Sequence, residues 1–215
     1  MTNILSRVAA RSRSNPLALA VLACLYERPM HPYEVAQTLR SRAKHESVRL
    51  NYGSLYGVVE ALEAKGLIRA RETVREGRRP ERTIYEITDP GEVELVDWLS
   101  DLVAAPGKEY LQFEAALSFI PVLPPEDAVA LLIQRAQALE MQLAQRRGLY
   151  RNAEVQGLPR LFLLEDEFMG HLVEAELDWV RKLINDIETG TLDGLVQWRV
   201  WAAGDHTDHW GPPAT

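Results

Sequence analysis

Arginine and tyrosine side chains that can bind anions and bases cluster in one part of this 215-residue chain. Six arginines fall within 14 residues: Arg69, Arg71, Arg75, Arg78, Arg79 and Arg82. A guanidinium holds several N–H donors in one plane, which suits bidentate contact with a phosphate or with the edge of a guanine. A preceding stretch carries polar and aromatic side chains: Asn51, Tyr52, Ser54 and Tyr56. These residue types predict contact with a polyanion.

The distribution of charge along the chain supports that interpretation. Residues 1–88 carry 15 Lys plus Arg against 9 Asp plus Glu, whereas residues 89–215 carry 9 against 22. The formal net charge of −7 therefore hides a basic N-terminal part and an acidic C-terminal part. Such asymmetry predicts that the basic part faces a polyanion and the acidic part does not.

Helix-start residues predict three short helices ahead of the arginine cluster. Asn15 and Pro16 suit the cap and first turn of an apolar helix over 17–27, and Pro32 starts a second helix that we expect to reach about residue 43. Asn51 caps a third helix that ends at Gly66. Its spacing turns a set of apolar residues inward: Leu55, Val58, Val59 and Leu62. Tyr52, Ser54 and Tyr56 are left on or beside the outer face.

The arginine cluster itself has the pattern of a β-hairpin. Residues 67–74 and 82–87 each alternate in polarity, and the turn between them is basic. The alternation places Arg69 and Arg71 on the solvent side. Three helices followed by a two-stranded hairpin predict a winged helix-turn-helix. In that arrangement the start of the third helix enters the major groove of DNA, and the basic hairpin tip lies beside the minor groove.

The remaining sequence predicts a second, helical domain after Pro106-Gly107. A fourth helix over 90–104 completes the first domain, and helices over 113–120, 125–151 and 161–188 follow. We therefore expect a mainly α protein with a small β-hairpin: a basic arm over 1–14, the winged helix-turn-helix over 15–105, an antiparallel, coiled-coil-like dimerisation domain over 109–190, and an arm without clear periodicity over 191–215. Apolar residues on the two long helices are the expected dimer contacts: Leu132, Leu139, Leu143, Leu172, Trp179 and Leu183.

Motifs in the first domain resemble a known family. They are His31-Pro32-Tyr33-Glu34-Val35, Tyr52-Gly53-Ser54-Leu55-Tyr56, Leu62-Glu63 with Gly66-Leu67-Ile68, and Tyr85-x-Ile87-Thr88-x-x-Gly91. Together they resemble the PadR family of bacterial transcriptional regulators over about residues 16–105, and residues 109–190 resemble the C-terminal region of its larger members. Many relatives have Gly where this chain has Pro32, so we expect a stiffer start to that helix.

The resemblance implies a cytoplasmic homodimer that binds an inverted-repeat operator in double-stranded DNA. Such regulators usually repress, and many release DNA when a small molecule binds. It also implies that Tyr33, Ser54, Tyr56 and the hairpin arginines contact DNA. In some relatives a Trp in the fourth helix stacks on planar ligands, so Trp98 is a candidate contact for a small aromatic effector. Further aromatic candidates line the C-terminal helices: Phe162, Phe168 and Trp179.

Other functions have weaker sequence support. No nucleophile motif, phosphate-binding glycine loop or carboxylate pair indicates an enzyme, and no cofactor is expected. His206 and His209 have a spacing that could bind a metal, but we interpret them as surface residues and predict no metal site. The single cysteine, Cys24, and the absence of a long apolar run favour a reducing cytoplasm and no membrane partner. The alternative to specific DNA binding is a winged-helix module that binds a ligand or another protein.

Overall fold

A computed structural model describes residues 15–44, 47–48, 50–74 and 82–204. The chain divides into two compact units, residues 1–108 and 109–215. As the sequence predicts, the described part is mainly α-helical with one small antiparallel hairpin. No helix in it is both long enough and apolar enough to span a lipid bilayer.

The first helix, α1 (Pro16–Glu27), lies at the centre of the N-terminal core. The side chain of Asn15 accepts a hydrogen bond from the amide N–H of Leu17 at 3.1 Å, which caps the helix start. Val21 and Leu22 are fully buried, and helices and strands from the rest of the unit pack around them. The predicted apolar helix is thus confirmed, although Tyr26 is exposed.

Two further helices complete the helical part of this unit: α2 (Pro32–Ser41) and α3 (Tyr52–Ala64). Helix α2 ends two residues earlier than expected. His31 and Glu34 form a reciprocal cap at its start: His31 Nδ1 accepts from the amide of Tyr33 at 3.0 Å, and the Glu34 carboxylate accepts from the amide of His31 at 2.9 Å. This cap, together with Pro32, fixes the beginning of α2.

Strands β1 (Ile68–Val74) and β2 (Arg82–Ile87) form the hairpin. Ile68 is buried opposite Ile87, and Tyr85 pairs with Met30, which ties the hairpin to the loop between α1 and α2. The register shifts between Ala70 and Glu72. Ala70, opposite Tyr85 at the start of this bulge, is exposed.

Helix α4 (Asp89–Ala104) returns across α1 and closes the unit. Thr88 Oγ1 accepts from the amide of Gly91 at 3.2 Å and donates to the carbonyl of Gly66 at 2.7 Å. A Cβ atom at Gly91 would lie 2.0 Å from the carbonyl oxygen of Leu67, so only glycine fits where α4 crosses the entry to β1. Leu95 and Trp98 are buried on the inner face of α4.

The C-terminal unit contains a short helix, α5 (Gln112–Ser118), and two long helices, α6 (Pro125–Val155) and α7 (Leu164–Glu188). One-turn 3₁₀ segments, Ile120–Val122 and Arg160–Leu163, precede the long helices. Two ion pairs show that α6 and α7 run antiparallel: Arg135–Glu176 and Arg146–Asp166. The later residue of α6 pairs with the earlier residue of α7. The predicted coiled-coil-like pairing is therefore formed within one chain.

The expected C-terminal arm includes a helix, α8 (Leu195–Ala202), which the sequence did not predict. Leu195 and Trp198 are buried against the core of the C-terminal unit, and the indole N–H of Trp198 donates to the carbonyl of Leu123 at 2.8 Å. The segment is too short to display a helical period, so its packing could not be read from the sequence. Residues 205–215, with His206 and His209, lie outside the described residues, as does the arm over 1–14.

Candidate nucleic-acid interface

The N-terminal turns of α3 present the side chains that the sequence assigned to the outer face. Asn51 Oδ1 accepts from the amide of Gly53 at 2.9 Å and caps the helix. Tyr52, Ser54 and Tyr56 are exposed. The apolar residues expected to face inward are all buried: Leu55, Val58, Val59 and Leu62. The split between the two faces is therefore confirmed, and it leaves hydroxyl groups and two aromatic rings at the positive end of the helix.

Tyr52 is held by two neighbours from α2. The ring of Tyr33 stacks on it with centroids 6.3 Å apart and an interplanar angle of 11°. The guanidinium of Arg40 lies 4.5 Å from the centroid of the Tyr52 ring and donates a hydrogen bond to its hydroxyl oxygen. The start of α3 is thus joined to α2 through side chains that are all exposed.

Arg40 is a candidate that the site assignment from sequence omitted. The periodicity of α2 indicates only that Arg40 and Arg42 face outward, and it does not separate their roles. The structure does so, because both guanidinium N–H groups of Arg42 bond the carboxylate of Glu27, one of them at 2.7 Å. That pairing lowers the pKa of Glu27 through the hydrogen bond. Arg40 instead lies beside Tyr52.

The hairpin stem exposes three of the arginines assigned to the interface: Arg69, Arg71 and Arg82. Arg69 Nε lies 2.7 Å from one oxygen of Glu86, and Arg71 Nη1 lies 3.6 Å from the other. The tip residues Arg75, Arg78 and Arg79 lie outside the described residues. The stem therefore carries cations that share one carboxylate.

Acidic residues mark the other end of α3. Glu60 and Glu63 are exposed there, and together with burial they raise the pKa of Tyr85 on β2. Burial is the larger cause of that shift. A polyanion would be repelled from this end of the helix, so only the N-terminal turns of α3 suit contact with phosphates.

Trp98 does not reach the surface as a simple stacking platform would. It is 3% exposed within the N-terminal core, and its indole N–H is buried without a hydrogen-bond partner among the described residues. The ring lines a cavity of about 140 Å³ together with Leu22, Ala61 and Leu67. A buried donor without a partner costs about 1–3 kcal/mol.

The C-terminal candidates divide into two groups. Three of the expected dimer contacts are instead buried within the chain: Leu132, Leu139 and Leu143. They pack against α7 of the same chain, because the heptad positions of α6 face that helix. Leu183 is half-buried in the same core, whereas Leu172 is exposed. The aromatic candidates are also exposed: Phe162, Phe168 and Trp179. Trp179 makes an edge contact with Phe113, with ring centroids 6.1 Å apart.

No metal-binding group of three or more His, Cys, Asp or Glu occurs in the described part of the chain.

Residues 21–97 match the model of the transcriptional regulator PadR-like family. The N-terminal unit carries a PadR-like domain. This finding confirms the resemblance noted in the sequence. A curated relative, the negative transcriptional regulator PadR of Bacillus subtilis (strain 168), is 26% identical over 161 residues, which span 72% of this chain and 83% of the relative.

Solved structures share the fold beyond the PadR-like domain. The Bacillus subtilis PadR complex with operator DNA aligns with a TM-score of 0.66 at 20% identity, covering 80% of this chain and 99% of that one. Its complex with p-coumaric acid aligns at 0.65 and 18% identity, covering 80% and 98%. The Vibrio cholerae virulence activator AphA aligns at 0.62 and 17% identity, covering 81% and 99%. The PadR-like domain and the helical unit after it therefore have the architecture expected from the sequence.

Proposed function

We propose that this protein is a transcriptional regulator that binds an inverted-repeat operator as a homodimer. The observation that carries the proposal is the exposed N-terminal turn of α3, where Tyr52, Ser54 and Tyr56 surround a capped helix start. The second motif helix of a helix-turn-helix reads base edges with that turn. A solved structure of similar fold, Bacillus subtilis PadR, is bound to operator DNA, and this supports double-stranded DNA as the ligand here.

The hairpin arginines supply the sequence-independent part of the proposed binding. Arg69, Arg71 and Arg82 are exposed on the stem, and the tip sequence adds Arg75, Arg78 and Arg79. Contacts of this kind release counterions from DNA, so affinity falls steeply as salt rises. Tyr33, exposed beside Tyr52, and Asn51, at the helix cap, complete the proposed DNA-binding set.

A second copy of the chain is the proposed partner for the exposed apolar face of α7. Leu164, Phe168, Leu172 and Trp179 recur at spacings that keep them on one side of the helix, and each is 47% exposed or more. An apolar stripe of this kind is typical of a protein interface. A twofold dimer presents two equivalent reading helices, which matches an inverted repeat in DNA.

Binding to a labelled duplex of the chain's own promoter region, measured by fluorescence anisotropy, tests the DNA-binding proposal. Tyr56→Ala should weaken binding to the promoter by about fivefold to 150-fold, because a lost base contact costs about 1–3 kcal/mol. Tyr26→Ala is the matched control, since Tyr26 is an exposed tyrosine on α1, and it should leave binding unchanged. Equal affinity for scrambled DNA would refute sequence-specific binding.

Sedimentation velocity tests the dimer. Leu172→Glu places a charge in the centre of the exposed stripe and should give a monomer that keeps its helical circular dichroism. Val155→Glu is the control, because Val155 is an exposed apolar residue that lies on α6 and not on α7. A dimer that survives Leu172→Glu would remove α7 from the interface.

We also propose that the regulator represses and is released by a small aromatic effector. The support is the cavity beside Trp98, whose buried indole N–H has no partner among the described residues, and the p-coumaric acid in a structure of similar fold. A cavity of about this size in another protein holds benzene. In a titration with p-coumaric acid, Ala61→Leu at the cavity lining should abolish release from DNA, and Ala64→Leu on the same helix should not. Persistent release in Ala61→Leu would move the effector site to the C-terminal aromatic residues.

The proposed regulator acts by binding alone, in the cytoplasm. Its only thiol, Cys24, is buried, and burial raises its pKa to about 11, so it is unsuited to disulfide exchange. A reporter fused to the chain's own promoter would rise on deletion of the gene if the protein represses, and would fall if it activates.

A further inference from the structure

We propose that Glu86 is a positioning residue that restrains Arg69 and Arg71, so that these two arginines add less sequence-independent affinity for DNA. The inference rests on the proposed DNA binding and extends it to a residue outside the predicted site. Glu86 lies directly opposite Arg69 in the antiparallel register, and each of its carboxylate oxygens faces a different arginine.

The bulge in β1 explains how one carboxylate reaches two arginines. The register passes from Ala70 opposite Tyr85 to Glu72 opposite Ile84, so Arg71 has no partner residue on β2. A bulge of this kind redirects side chains locally. Here the Arg71 guanidinium comes within 3.6 Å of the carboxylate that also bonds Arg69 at 2.7 Å.

Burial places the carboxylate beneath the cations. The side chain of Glu86 is 21% exposed, whereas those of Arg69 and Arg71 are 70% and 55% exposed. An approaching phosphate therefore meets the two guanidinium groups first, but their net charge with Glu86 is +1 instead of +2. Each arginine must share or leave Glu86 before it neutralises a phosphate fully.

This arrangement acts on the sequence-independent part of DNA binding. Affinity for DNA of arbitrary sequence arises almost entirely from phosphate neutralisation, and its dependence on log salt has a slope of about −0.9 for each phosphate contacted. Cancelling one hairpin charge lowers that term for all sequences. Base contacts from α3 are unaffected, so the absolute affinity for DNA of the wrong sequence falls while the ratio of specific to non-specific affinity stays the same.

The test compares Glu86→Gln with Glu72→Gln on the promoter duplex and on a scrambled duplex at several salt concentrations. Both variants remove one negative charge from the hairpin, but Glu72 makes no ion pair with Arg69 or Arg71. Glu86→Gln should bind scrambled DNA about twofold to fivefold tighter than Glu72→Gln does, which matches the strength of an exposed ion pair. Its salt slope should steepen by about one phosphate contact. Glu86→Asp, which keeps the charge, should restore a slope near that of the wild type.

Thermal melts establish that each variant is folded, and Glu86→Thr, a neutral side chain suited to a strand, replaces Glu86→Gln if that variant is not. Identical affinities and slopes for the two Gln variants would overturn the inference, and so would weaker binding of Glu86→Gln to scrambled DNA. The proposed function is tested separately: it fails if the wild type binds the promoter duplex and the scrambled duplex equally. In that case the scrambled duplex still measures the effect of Glu86 on Arg69 and Arg71. A wild type that binds neither duplex overturns both.

Discussion

The guanidinium of Arg40 lies over the ring of Tyr52 at 4.5 Å and bonds its hydroxyl, so α2 holds the first residue of α3 from the side. Tyr33 stacks on the same ring. The aromatic residue at the start of the proposed reading helix is thus oriented by two neighbours before any ligand arrives. Such preorganisation reduces the entropy lost on binding.

A double-mutant cycle measures this coupling. Arg40→Ala, Tyr52→Ala and the pair should give an interaction of about 0.5–1 kcal/mol in the free energy of unfolding, as expected for an exposed cation–π contact. Urea denaturation followed by circular dichroism supplies the three values. If the two single effects simply add, the contact does not stabilise the fold. Arg42→Ala is the control: it should lower the free energy of unfolding because it removes the ion pair with Glu27, and it should show no coupling to Tyr52.

Substitutions at two glycines should act in opposite directions on stability. Gly91→Ala should lower the free energy of unfolding by several kcal/mol, because its Cβ would lie 2.0 Å from a backbone oxygen. Gly57→Ala should raise it by up to about 1 kcal/mol, since nothing lies within 4 Å of a Cβ there and α3 gains helix propensity. Thermal unfolding monitored by circular dichroism distinguishes the two.

Gly57→Ala also has an expected effect on DNA. If the α3 backbone approaches the phosphates closely, the added methyl group should weaken promoter binding while the protein becomes more stable. Anisotropy titrations on the stabilised variant measure this directly. Unchanged affinity would mean that Gly57 does not face the duplex.

The cap of α2 predicts a loss of stability in mild acid. Burial, and then the charge of Arg82, lower the pKa of His31, and its Nδ1 accepts the Tyr33 amide only when it is neutral. The unfolded state therefore takes up a proton first as the pH falls below about 6.5, and stability declines until the lower folded pKa is reached. Glu34 opposes this shift and limits its size. His31→Ser keeps a cap without titrating, so its unfolding free energy should change less between pH 7.5 and 5.5.

Cys24 should be inert in the folded protein. Its pKa of about 11 leaves almost no thiolate at pH 8, and the side chain is 3% exposed. Ellman's reagent should react slowly with the native protein and at once after denaturation in guanidinium. Rapid reaction of the native protein would show that α1 opens readily.

Local patterns were enough to predict the N-terminal unit. Asn15 and Asn51 each cap the helix that their residue type predicts, and the apolar spacing of α3 gives the correct buried face. These features depend on residues close together in the chain. The bulge at Arg71 and the role of Arg40 were missed, because each depends on a partner from another element.

In the C-terminal unit the pattern predicted helices but not their partners. The heptad spacing of Leu132, Leu139 and Leu143 is the same whether the facing helix belongs to the same chain or to another copy. The structure places α7 of the same chain there. Trp198 was left in an arm for a similar reason, since its hydrogen bond joins residues 75 positions apart.

The bond from Trp198 to Leu123 has a consequence for protein synthesis. Because Leu195 and Trp198 follow α6 and α7 in the chain, the ribosome synthesises the two long helices before it adds the side chains that complete their core. During that interval the apolar surface beneath α8 is open to water, and a chain that terminates before residue 195 never covers it. Nascent and truncated chains therefore present a surface that chaperones and proteases can recognise, whereas finished chains do not.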